Sequence, residues 1–184
     1  MRLVLAFLAM TACASAQQPP PMSDEDVVAV FNRISQRTAR LGPMLEQLNP
    51  ADWVAKGAPD TYVAQWNSVR QQYAAIQTDL SDLGHHLDHL TDSMKALFRI
   101  EAANQALGSL LGGARKYQNP ALAELIESVA AESARDIDGF QQHLIEMADA
   151  KEQQLTLVDR EAQRCRATLS KEPVKAPTPA RKAQ

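Results

Sequence analysis

Apolar and small residues recur at helical spacing along most of this chain, and the longest such run occupies residues 120–169. Leu122, Ile126 and Val129 begin a stripe that passes Ser133, resumes at Ile137, Phe140, Leu144 and Met147, and passes Lys151. It closes with Leu155, Val158, Ala162, Cys165 and Leu169. Steps of three and four put these side chains on one face of a single α-helix. At the standard rise such a helix is roughly 75 Å long, so it needs long helices as partners.

The partners are predicted by the same periodicity. Val27, Phe31, Ile34, Thr38, Leu41, Leu45 and Leu48 predict a helix over 24–48, capped by Ser23, with acidic Asp24, Glu25 and Asp26 in its first turn. The phase survives Gly42 and Pro43, which predicts a kink there and not two helices. Asn49 and Pro50 open a short helical turn carrying Trp53, expected to close one end of the bundle, before Gly57 ends it. Tyr62, Trp66, Val69, Tyr73, Ile76, Leu80 and Leu83 form a seven-residue repeat over 59–83. Leu87, Leu90, Met94 and Leu97 keep that phase past Gly84, so 59–117 is either one helix or two that reverse at residues 84–86. A reversal is preferred, because glycine suits a helix C-terminus and a single helix of that length lacks matching partners. Ala96, Ile100, Ala103, Leu107, Leu110, Ala114 and Tyr117 make the stripe of the next helix, 87–117. Gly108 with Gly112, and Ala102 with Ala106, are expected to let another helix come close. Asn119 and Pro120 mark the last reversal. The expected fold class is all-α: an elongated, mostly antiparallel bundle of four main helices with a long C-terminal helix.

The ends of the chain change the picture from a bundle to an exported bundle. Arg2 and the apolar run Leu3 to Met10 lead to small residues at Ala14 and Ala16, as a cleaved signal peptide over 1–16 requires. A Pro-rich leader over 17–22 and the bundle domain over 23–169 follow, then a basic, Pro-containing tail over 170–184 expected to be disordered. Met10, Thr11, Ala12 and Cys13 offer a rival reading, lipidation of Cys13 to give an envelope lipoprotein. Loss of Arg2 takes the basic count from 19 to 18 against 22 acids, a charge of about −4, which argues against a nucleic-acid partner. No second apolar run reaches membrane length, so the mature chain is not expected to span a bilayer; a periplasmic or secreted location is expected.

Cleavage after Ala16 leaves Cys165 as the sole cysteine, read as a small buried residue on the stripe or as an intermolecular disulfide locking a dimer. His85, His89 and Asp92 are the metal candidates. On one helix, His85 and His89 would stand one turn apart with Asp92 a turn further, a spacing able to chelate a divalent transition metal. The preferred reversal at Gly84 works against that spacing, and an exposed polar turn is the simpler reading. His143, beside Phe140 and Met147, reads as a partly buried structural histidine. No phosphate loop, haem-attachment pair or nucleophile motif is present, so neither a cofactor nor enzymatic activity is expected.

The segments Tyr117 to Leu125 and Asp159 to Arg166 resemble uncharacterised bacterial exported all-helical proteins, in a layout running from about residue 51 to 169. The resemblance implies an exported helical fold and assigns no site. The expected function is non-enzymatic helix–helix contact in the cell envelope, as a scaffold, adaptor or holding chaperone. A periplasmic metal-binding or sensing module using His85 and His89 is the alternative. The third helix is too short to cover the end of the fourth, so Leu155 to Leu169 needs the first helix, a protein partner or a second copy.

Overall fold

A computed structural model describes residues 22–170; the expected signal peptide, Cys13, all but the last residue of the expected leader and all but the first residue of the expected tail lie outside that range. The described residues form helices α1 (Asp24–Leu45), α2 (Pro50–Ala55), α3 (Thr61–Leu83), α4 (Leu90–Tyr117), α5 (Pro120–Ala131) and α6 (Ala134–Leu169), and contain no strand. The protein is an all-α bundle.

Side-chain pairings fix the direction of each helix. Trp66 Nε1 donates to Leu45 O at 2.7 Å, joining the start of α3 to the end of α1. Tyr73 donates to Asn104 Oδ1 at 2.8 Å, while Asp79 meets Arg99 at 3.0 Å, so α3 and α4 run antiparallel. Phe31 meets Phe140 edge-on at 4.9 Å and Arg33 meets Asp136 at 2.9 Å, so α6 runs back along α1. The order is up, down, up, down, with α5 and α6 sharing the fourth position. The α3–α4 reversal, the start of α1 and the exit of α6 share one end.

The stripes of α1 and α3 match the expected core. Every apolar member of the α1 stripe is buried, as are Val69, Tyr73, Ile76, Leu80 and Leu83. Burial pushes the Tyr73 phenol above its ordinary pKa. The Gly42–Pro43 pair sits inside α1, but α1 ends at Leu45, three residues earlier than expected. Gln47 N bonds Met44 O and Leu48 N bonds Leu45 O, three residues back, so the chain tightens out of α-geometry while Leu48 stays in the core.

Three other expectations need correction. First, residues 120–169 are not one helix: α5 ends at Ala131 and α6 starts at Ala134. Glu132 and Ser133 keep right-handed helical dihedrals, but Ser133 N turns to Ala130 O, so the ladder tightens without reversing. An arginine row on α1 holds this joint: Arg40 and Arg37 pair with Glu132, and Arg33 and Arg37 pair with buried Asp136. Second, α4 begins at Leu90, not at residue 87, and Gly84 closes α3 with φ −57°, so no left-handed cap is used there. Gly57, at φ +91°, is where one is used: Ala58 N and Gly57 N bond back to Trp53 O and Val54 O.

Third, the close approach along α4 occurs at Gly113, not at Gly108 or Gly112. A Cβ on Gly113 would stand 2.7 Å from Tyr62 Cε1 and 3.0 Å from Trp53 Cζ3, whereas one on Gly108 or Gly112 would meet nothing within 4 Å. Trp53, fully buried, closes this end, donating from Nε1 to Gln118 Oε1 at 2.8 Å. Gln118 also accepts from Asn49 N and donates to Gln47 O, tying both connectors together. Gly113→Ala should therefore destabilise the fold by about 1–3 kcal/mol through overpacking, while Gly112→Ala on the open face should stabilise it by up to about 1 kcal/mol. Urea-unfolding midpoints of the two variants measure this, and shifts of the same sign and size would contradict the contact.

Candidate functional site

Among the described residues, the longest surface that folding leaves without cover is the distal half of α6. Ile137, Phe140 and Leu144 are buried and Met147 is partly buried against the core. Cover then stops. Every described residue from Asp149 onward is exposed except Ala162, which is partly so. Leu155, Val158 and Leu169 are 66%, 56% and 69% exposed, although they continue the buried stripe in phase. Cys165 is a free thiol on the same face and is exposed, which corrects the expectation of a buried apolar role.

The cause is the length of the neighbours. Helix α1 begins at Asp24, whose charge is felt at His143, one turn before Met147. The first helix therefore does not supply the expected cover for Leu155 to Leu169. No glycine or proline interrupts residues 140–170, and Leu, Ala, Gln, Glu, Lys and Arg dominate, so local propensity sustains the helix. Tertiary contact does not: no ion pair among the described residues lies beyond Asp136 on α6. Thr156 and Thr168 bond back to the carbonyls of Glu152 and Arg164, offering nothing to a neighbour.

Of the metal candidates, His85 and His89 lie in the α3–α4 reversal, residues 84–89, and Asp92 lies in the first turn of α4. His85 and His89 both lie outside the flanking helices, so the one-turn helical spacing between them does not form. His89 Nδ1 stands 3.4 Å from Asp92 Oδ2, and its ring stacks on His86 at 5.1 Å. It is His86, not His85, that lines the adjacent hollow of about 250 Å³ with His89 and Asp92. Asp92 already holds Lys95 at 2.9 Å, and the ammonium keeps its carboxyl below the usual carboxylate range. Among the described residues no three His, Cys, Asp or Glu side chains are grouped to hold a metal ion.

Sequence reasoning placed His143 correctly as half-buried but missed its environment. Its Nε2 is enclosed without a hydrogen-bond partner, and burial pushes its pKa below the ordinary histidine value against the opposing charges of Glu146 and Asp24. Gln118 and the arginine row on α1 were also missed, because their partners lie 65 to 103 residues away in sequence.

Comparison with protein-family models, with curated proteins and with solved structures finds no match to this chain. No helix among the described residues is long and apolar enough to cross a membrane.

His143 gives a pH prediction. Its folded pKa lies below the unfolded one, so the unfolded chain binds the proton first and stability from this group is lost as pH falls below about 6.5. His143→Gln should lose less stability between pH 7.5 and 5 than the wild type, by urea midpoints at each pH; parallel losses would contradict the buried environment.

Proposed function

We propose that this is an exported, non-enzymatic helical-bundle protein that works by helix–helix contact in the cell envelope, as a scaffold, adaptor or holding chaperone. One observation carries the reading: the apolar stripe of α6 keeps its phase from Ile137 to Leu169 while its cover ends at Met147. Leu155, Val158, Ala162, Cys165 and Leu169 alternate in steps of three and four, the spacing of a coiled-coil seam. A lone leucine on a surface needs no explanation, but an in-phase row on one uncovered helix marks an interaction site.

Export rests on Arg2, the apolar run after it and the small residues Ala14 and Ala16, with Cys13 as the lipidated alternative. Contact in that compartment requires no cofactor and no chemistry from the protein.

A photo-reactive amino acid placed at Val158 in the full chain, expressed in the native host, should give a discrete cross-linked species in the envelope fraction. The same group at exposed Ser128 on α5 should not. A Val158 probe that cross-links no more than the Ser128 probe, or a mature protein that retains its first residues in the cytoplasm, would remove the basis for this reading.

A further inference from the structure

We infer that the occupant of the uncovered stripe is a second copy of this chain, paired antiparallel along α6. This rests on the contact reading above and names its partner. The argument starts from which side of α6 is bare. The uncovered stripe is the continuation of the stripe that faces the bundle core, so each molecule's bundle lies on the side from which a partner helix must approach. A parallel, in-register partner would bring its own bundle into the volume the first bundle fills. An antiparallel partner carries its bundle to the opposite end, where only the tip of α6 projects. We place the two-fold at Arg160, midway between the stripe positions Lys151 and Leu169, so that the uncovered rows of the two copies overlap end to end.

Side-chain size agrees with this register. About that axis Leu155 faces Cys165 of the second copy and Val158 faces Ala162, so each larger side chain meets a smaller one. Lys151 lies over Leu169 of the second copy, its methylene stem covering the leucine and its ammonium reaching solvent. A parallel register would instead stack alanine on alanine and cysteine on cysteine, leaving the middle of the seam underfilled.

Charge agrees as well. Glu152 comes opposite Arg166 of the second copy on the flank of the seam, and two-fold symmetry makes this pair twice. Asp159 and Glu161 lie near their own copies across the axis, which makes the association modest and favoured by moderate salt screening at the centre.

The pairing also decides the role of Cys165. In the antiparallel register the two Cys165 residues are separated along the axis by roughly 15 Å, too far for a disulfide. A cysteine at position 155 would instead face Cys165 of the second copy.

Sedimentation equilibrium on the full mature chain under reducing conditions should show a dimer, and Leu155→Lys should weaken it at least about tenfold with unchanged helix content and melting temperature. Under mild oxidation Leu155→Cys should run as a covalent dimer on a non-reducing gel, while the wild type should not. Covalent dimerisation of the wild type through Cys165 would contradict this register and overturn the proposal. A monomeric wild type whose Val158 probe still cross-links a different protein would overturn the second copy while leaving the contact reading intact. A monomer with no cross-link would overturn both.

Discussion

Antiparallel helices share a core only over the length of the shortest, and that constraint governs this protein. Helices α1, α3 and α4 run 22, 23 and 28 residues, while α6 alone runs 36 after α5 has already used 12. Apolar burial stabilises a helix only where another surface removes water from it, so the fourth position of the bundle is stable by packing until Met147 and by local propensity afterwards. A helix of this composition persists past its partners because nothing in it favours another backbone state. Its exposed stripe is a consequence of the mismatch.

The joint at Glu132 and Ser133 shows how the long helix is made to follow α1. An uninterrupted helix keeps one axis, whereas a tightened turn with right-handed dihedrals shifts the axis while conserving the apolar phase. Arg33, Arg37 and Arg40, spaced four and three apart on α1, hold the carboxylates on either side of that turn. These pairs are partly exposed, so their worth lies less in raw stability than in setting register between elements about a hundred residues apart. The T-shaped contact of Phe31 with Phe140 begins one turn further along and fixes the same register from inside the core.

Periodicity made most of the fold readable. Every apolar position of the α1 stripe is in the core, and the reversal near Gly84 follows from the length of the partners and from glycine at a helix end, although Gly84 closes α3 in right-handed geometry. What periodicity could not show was cover. Cys165 was read as buried because it lies on the stripe, yet a stripe states which face is apolar and not whether anything reaches it. The same limit applies to small residues: Gly108 and Gly112 have the spacing of a close helix crossing, while Gly113, one residue along, meets the rings of Trp53 and Tyr62. Spacing within one helix cannot reveal which neighbour arrives from sixty residues away. The joint at Ser133 was hidden for a related reason, since its dihedrals stay helical and the residues that hold it are on another element.

Lys151 marks where the stripe changes purpose. It is the first stripe position beyond Met147, fully polar in a row that is otherwise apolar or small, and it is exposed. A lysine there costs nothing while the face is in water, but an ammonium pressed into the bundle interior without a counter-charge is strongly disfavoured. Any helix approaching the bare stripe is therefore kept from sliding further toward the bundle core, which fixes how far a partner can advance. In an antiparallel pair the same lysine lies at both ends of the seam, limiting slippage in either direction while its stem shields Leu169. One residue then separates the segment whose apolar face is covered by folding from the segment whose apolar face is left open, and it does so without interrupting the helix that joins them.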